Sequence, residues 1–223
     1  MKLLVPGTEL DGFAIGECLH AGGMAHIYRV TYAGGAADPG FPMVMKVPRM
    51  TPGDGAENII GFEIEQQILR VLTGPHVPRF VATGDLARLP WLVMEQVPGQ
   101  TLQHWLDQPE PLPPDTIARL GVAMARAAHS LHQQEAVHLD LKPGNVMIRP
   151  DGQAVLLDFG LSWHAHYPDL LAEELRKAVG SPAWMAPEQV VGVRGDPRSD
   201  IFAIGVMLYQ LAVGKLPFGS PQT

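Results

Sequence analysis

Val137-His138-Leu139-Asp140-Leu141-Lys142-Pro143-Gly144-Asn145-Val146-Met147, followed thirteen residues after Asn145 by Asp158-Phe159-Gly160, is the stretch on which the fold of this chain turns. It sets a carboxylate, an ammonium, an amide and a second carboxylate in fixed order between apolar residues. Beside Pro143-Gly144, any one of the Asp or Asn residues would pass as a turn former. The whole ordered set is not explained by turn chemistry.

Upstream, two β-prone runs, Phe13 to Leu19 and Ile27 to Tyr32, flank the turn His20-Ala21-Gly22-Gly23-Met24-Ala25-His26 and predict a hairpin. Glycines lacking Cβ would let backbone N–H groups come close to a phosphate, although a glycine-rich hairpin alone is more often plain turn chemistry. A third strand, Pro42 to Val47, carries Lys46, whose ammonium calls for a carboxylate or phosphate partner. Glu57 to Leu72 places Ile60, Ile64, Ile68 and Leu72 at i, i+4 spacing, an amphipathic helix that offers Glu65. Strands around Arg79 to Ala82 and Trp91 to Glu95 follow, and Val97-Pro98-Gly99 closes the β-rich half. Asp115 to Gln133 is a long helix with Asp115 as its expected N-cap. Downstream lie Gly180-Ser181-Pro182-Ala183-Trp184-Met185-Ala186-Pro187-Glu188 and the apolar helix that begins near Asp200-Ile201.

Taken together, these segments resemble the protein kinase family over residues 10 to 218. The Gly-Gly-Met-Ala-x-Ile-Tyr form of the loop is most like bacterial serine/threonine kinases of the eukaryotic type. The resemblance implies an α+β, bilobal protein kinase-like fold, with a β-rich N-lobe over residues 1–97 and a helical, incomplete C-lobe over 98–223. It implies ATP-dependent transfer of the γ-phosphate to protein Ser/Thr hydroxyls, with ATP and Mg²⁺ (or Mn²⁺) as cofactors. In-line phosphoryl transfer needs a carboxylate to orient the attacking hydroxyl, a cation near the γ-phosphate and oxygen ligands for the metal.

By that resemblance Asp140 orients the hydroxyl, Lys142 neutralises the γ-phosphate, Lys46 holds the α and β phosphates and is fixed by Glu65, and Asn145 and Asp158 bind the metal. Gly22, Gly23, Met24, Ala25, Ile27, Val44, Lys46, Met94, Glu95, Val97 and Met147 line the nucleotide site, with Met94 as gatekeeper and the Glu95 and Val97 backbone at the adenine edge. Leu69, Phe80, His138 and Phe159 form an apolar spine. Lys142 and Ser181 beside the catalytic aspartate imply Ser/Thr rather than Tyr specificity. Thr101 and Gly144 stand where arginine-directed members carry acids, so a basic substrate motif is not supported. A small-molecule kinase of the aminoglycoside type would lack Ala186-Pro187-Glu188. The alternative from another class is a pseudokinase acting as a nucleotide-binding scaffold or regulator.

Four departures from the family pattern qualify this reading. The His-Arg-Asp triplet reads His138-Leu139-Asp140, removing the arginine that pairs with a phosphorylated activation loop. No Ser or Thr lies between Trp163 and Gly180, where Asp169 to Lys177 instead reads as a short helix capped by Asp169. His20 and Ala25 replace glycines of the strictest loop, which predicts weaker nucleotide affinity. The chain stops where further C-lobe helices would begin, so Glu188 is expected to lack an arginine partner and the helix from Ile201 to be partly uncovered. The chain is therefore expected to be the kinase part of a longer protein, with further C-terminal domains or a regulatory partner.

Composition bounds the rest. The 223 residues are 46% hydrophobic and 17% charged, with 16 Lys plus Arg against 23 Asp plus Glu and a net charge of −7. A folded domain results, and nucleic-acid binding finds no basic surface. No signal peptide and no membrane span is expected, and the single cysteine, Cys18, fits a cytoplasmic compartment as a small core residue. Among nine histidines, His164-Ala165-His166 with Asp169 is the best metal candidate, although two histidines in a polar loop are usually solvated. His129 and His132 read as partly exposed helix residues.

Overall fold

The computed structural model describes residues 4–22, 24–34, 39–49, 56–86, 88–174 and 179–219. Its first half is a six-stranded antiparallel sheet made of β1 (Glu9–Leu10), β2 (Phe13–Ala21), β3 (Ala25–Tyr32), β4 (Met43–Pro48), β5 (Phe80–Thr83) and β6 (Leu92–Glu95), ordered β1-β2-β3-β4-β6-β5. Helix α1 (Ala56–Val71) connects β4 to β5.

The period-2 alternation of strand side chains sorts residues between the two faces of this sheet. Phe13, Ile15, Tyr28, Val30, Met43, Met45, Val47, Trp91 and Val93 form one closed apolar layer. The opposite face carries Val44 and Lys46, and register sets Ile27 and Leu92 beside Lys46 and Met94 beside Val44. Of the residues expected to line the nucleotide site, Ala25, Ile27, Val44, Lys46 and Met94 thus share the face turned away from that layer. Register shifts on β2 around Cys18 break its alternation, and Cys18 is exposed rather than a core residue.

The second half begins with β7 (Gln100–Thr101), α2 (Leu102–Leu106), α3 (Pro114–His132) and β8 (Ala136–Val137). A single 3₁₀ turn at Pro143–Asn145 leads to β9 (Val146–Ile148), β10 (Ala154–Leu156), β11 (Trp163–His164), α4 (Leu170–Glu174), α5 (Pro187–Val190) and α6 (Arg198–Val213). Helix α3 starts at Pro114 with Pro113 as N-cap, not at Asp115. Proline at the first helical position forfeits only an N–H that has no helical partner, and Asp115 then sits in the first turn, where a carboxylate favours the dipole.

Leu120, Met124, Ala127, Ala128 and Leu131 make the buried stripe of α3, and α6 packs its Ala203, Ile204, Met207 and Leu211 into the same cluster. Each large apolar side chain so buried contributes roughly 1.5–3 kcal/mol. The cluster is continuous from Ile64, Ile68 and Leu69 of α1 through Phe159 to α3 and α6. It therefore welds α1 to the Asp158-Phe159-Gly160 segment and to the helical half. Helix α6 ends at Gly214, in the left-handed region at φ 75°. Ile201, Tyr209, Val213 and Phe218 remain exposed, as expected for a partly uncovered helix. Among the described residues no helix is long and apolar enough to cross a membrane.

Candidate active site

The loop between β8 and β9 is held from below by buried polar groups. Asp200, in the first turn of α6 and 1% exposed, accepts the N–H groups of His138 (2.9 Å) and Leu139 (3.0 Å) and a third hydrogen bond from His132 Nε2 (2.8 Å). A buried carboxylate needs such donors, and its place near the N-terminus of α6 adds a favourable dipole. Leu139 has φ +63°, a left-handed conformation that costs a branched residue about 1–2 kcal/mol. Asp200 on its N–H, and Gln189 Nε2 donating to its carbonyl at 2.8 Å, lock it there. His132 is a partly exposed residue of α3, as expected, and also a bonded member of the site. The sequence alone gives neither Asp200 nor Gln189 a role in this site, because their partners lie 50 to 68 residues away.

His138 is fully buried, and its Nε2 donates to the Leu157 carbonyl at 2.9 Å while its Nδ1 accepts the Asp140 N–H at 3.3 Å. Those partners assign the proton to Nε2. Its ring lies 5.0 Å from that of Phe159, and Leu69 and Phe159 share one core cluster, with half-buried Phe80 packed against it.

At the mouth of the loop, Asp140 Oδ2 accepts from Lys142 Nζ (2.9 Å) and Asn145 Nδ2 (3.2 Å). Its Oδ1 is buried and accepts from no group among the described residues. Lys142 also donates to Ser181 Oγ at 3.1 Å, which brings the Gly180-Ser181 segment to the loop. Asn145 donates through Nδ2 to the Asp140 carbonyl at 2.9 Å, so its amide oxygen is the end left to face a cation.

Lys46 on β4 reaches Glu65 Oε2 of α1 at 2.6 Å and Asp158 Oδ1 at 2.8 Å. Burial alone would lower the Lys46 pKa, but the two carboxylates outweigh it and raise the ammonium above its usual range. Lys46 in turn holds the Asp158 carboxyl down at about 2. Glu65, 1% exposed, is pushed up by its burial against the pull of Lys46. Helix α1 is drawn close enough for Gly61 to meet Gly160 backbone to backbone, a Cβ on Gly61 falling 3.1 Å from the Gly160 carbonyl oxygen. Gly61→Ala should therefore displace α1 by a few tenths of an ångström and cut turnover about tenfold, while its helix propensity keeps the melting temperature near wild type. Steady-state rates beside a thermal melt read both.

Strand β6 ends at Met94-Glu95 and the chain continues through Gln96 and Val97. The Glu95 N–H donates to the Arg79 carbonyl at 2.9 Å, and the Gln96 N–H to the Pro42 carbonyl at 2.8 Å. The Glu95 side chain, 3% exposed, turns to Arg149 (2.8 Å) and Arg79 (3.4 Å). Arg149 follows β9, so this ion pair ties the sheet to the helical half, a contact without a sequence signal. Arg149→Ala should cost about 3 kcal/mol by leaving a buried carboxylate with only its more exposed partner. Chemical denaturation gives that value directly.

Among the other predicted residues, Ala25, Ile27 and Val44 lie on β3 and β4 and Met147 on β9. The Gly22 N–H donates to the Ala25 carbonyl at 3.0 Å and closes the loop on itself, with Met24 exposed at its tip. Gly23 lies outside the described residues. The metal candidate at His164, His166 and Asp169 is not assembled: His166 Nε2 meets Glu135 at 2.7 Å, and the Asp169 carboxylate is taken by Arg194 at 2.8 Å. Glu188 accepts from Ser199 Oγ at 2.9 Å, a hydroxyl rather than an arginine.

Comparison with known proteins agrees with this geometry. The chain is 34% identical to the serine/threonine-protein kinase pkn2 of Myxococcus xanthus, over 98% of its own length and 26% of that protein. It is 33% identical to the serine/threonine-protein kinase PkaA of Streptomyces coelicolor, over 82% of the chain and 34% of the relative. It is also 30% identical to the serine/threonine-protein kinase PknL of Mycobacterium tuberculosis, over 79% and 44%. The chain thus spans between a quarter and less than half of these relatives. A profile of the protein kinase domain matches residues 22–223, and the chain belongs to that family.

Proposed function

We propose that this protein is an ATP-dependent serine/threonine protein kinase whose nucleotide lies between the sheet and the helical half, with the lobe boundary near residue 97. The observation that carries the reading is Asp140. One of its oxygens is anchored by Lys142 and Asn145, while the other is buried without a partner among the described residues. A buried acceptor without a donor is costly in a finished structure, and a substrate hydroxyl is the donor this oxygen suits.

The neighbouring groups fit the same reaction. Asp158 and the free amide oxygen of Asn145 are hard oxygen donors of the type magnesium takes. When bound, the metal supplies charge neutralisation for the phosphates. Lys46, held between two carboxylates, would bind the α and β phosphates, and Lys142, beside Asp140, would neutralise the phosphate in transfer. The Glu95 and Val97 backbone would meet the adenine, with Met94 behind it and Ile27, Val44 and Met147 packing on its faces. The bridge from Lys142 to Ser181 supports a Ser/Thr acceptor in a protein substrate, as do the names of the relatives.

Transfer of labelled γ-phosphate with Mg²⁺ to generic protein acceptors, followed by phosphoamino-acid analysis, tests this function. Phosphoserine and phosphothreonine are expected. Phosphotyrosine would overturn the specificity, and ATP-dependent thermal stabilisation without transfer would establish the pseudokinase instead.

A further inference from the structure

Leu139 leaves the catalytic loop without a cation for a phosphorylated activation segment, and no Ser or Thr lies between Trp163 and Gly180. Something else must order that segment. Asp169 caps α4, its Oδ1 accepting the Ala172 N–H at 3.2 Å. The same carboxylate takes Arg194 Nε on both oxygens, at 2.8 and 3.0 Å. Arg194 then donates through Nη2 to the Leu161 carbonyl at 2.9 Å, one residue beyond Gly160. Both side chains are largely buried, at 13% and 21% exposure, so this pair is far less screened than a surface bridge. The neighbouring Gly195 lies flat against Trp163, where a Cβ would come within 3.1 Å of the indole.

We propose that Arg194 and Asp169 are positioning residues that latch the activation segment in its productive arrangement without phosphorylation. One guanidinium joins the segment's start at Leu161 to the first turn of α4 and anchors both to the loop ahead of α6. Leu171, one residue into that helix and 1% exposed, belongs to the core cluster that also holds Ile64, Ile68 and Phe159. Helix α4 packs on α1, the helix that carries Glu65. The latch therefore supports the contact between Lys46 and Glu65 through packing and touches no reacting atom. The Asp169 carboxylate carries its charge without modification, so a latch built on it does not depend on phosphorylation.

The inference rests on the kinase reading for its rate effects, and amide hydrogen exchange judges it independently. Asp169→Asn keeps an N-cap and removes the charge; Arg194→Ala removes the guanidinium; the double variant removes both. Each single variant should lower kcat about tenfold with the KM for ATP unchanged, and the double should be no slower than the slower single. Exchange over residues 161–174 should quicken in all three. Phosphatase treatment of the wild-type protein should leave kcat unchanged. Singles within twofold of wild type, effects that multiply in the double, unchanged exchange, or loss of activity on phosphatase treatment would each overturn the latch. A wild-type protein without transferase activity would refute the kinase reading, while the exchange data would still decide the latch.

Discussion

Asp140→Asn should slow phosphoryl transfer about 10²–10⁴-fold, the range seen when a positioned acid–base group is removed, with the KM for ATP nearly unchanged. The substitution keeps shape and an oxygen that can still accept from Lys142, which sits 2.9 Å from Oδ2 in the wild-type protein. What it removes is a charged, buried and otherwise unpaired acceptor at Oδ1. An amide cannot take the hydroxyl proton. The bracing of the loop by Asp200 and Gln189 is untouched, so the melting temperature should stay within a few degrees of wild type. Single-turnover rates at saturating ATP, with a melt of the same sample, separate the two effects. A variant that keeps a tenth of the activity or more would remove Asp140 from the role assigned to it.

Lys46→Met should abolish detectable transfer and also destabilise the fold by about 3–5 kcal/mol, the usual cost of breaking a buried ion pair from one side. Glu65 is only 1% exposed and loses its cation, whereas Asp158 faces the cleft and water can solvate it. Lys46→Met/Glu65→Leu should recover most of the stability and none of the activity, because the pair is then replaced by apolar contacts. The pH dependence has a definite sign. Burial raises the Glu65 carboxyl above its ordinary 4.5. A carboxyl whose pKa is raised on folding contributes stability below its unfolded pKa and loses it as pH rises through the folded value. Without Lys46 to oppose the burial, the single variant should lie nearest wild type near pH 4.5 and fall further behind as pH rises to neutral. Urea titrations across that range measure the difference. A gap that does not vary with pH would mean that Glu65 is solvated in the variant, contrary to its burial here.

The candidate site was legible because its residues are adjacent in sequence and chemically specialised. Asp140, Lys142 and Asn145 lie within six positions, and Asp158 follows at a fixed distance. The strands and α1 were legible from period and from breakers, to within a residue or two at their ends. Side-chain destinations were less so. Cys18 faces outward because irregular pairing interrupts the alternation of β2, and α3 begins one residue early because Pro114 needs no donor. Asp200, Gln189, Arg149 and Arg194 act on groups far away in the chain, and each alone reads as an ordinary helix or loop residue. Their contribution is fixed by topology, which pairs α6 with the β8–β9 loop and brings the residue after β9 to the last residue of β6. The departure at Leu139 is visible in the sequence, whereas Arg194 and Asp169 lie 25 residues apart and nothing in their spacing announces the pair.

Labelled ATP and Mg²⁺, given to the purified protein and to its Asp140→Asn variant under identical conditions with a Ser/Thr-containing acceptor, provide the most direct test of the catalytic assignment. The wild-type protein should label the acceptor on serine or threonine, and the variant should fall at least 10²-fold below it. Equal labelling by the two, or none by the wild type despite bound nucleotide, would contradict the catalytic role of this site.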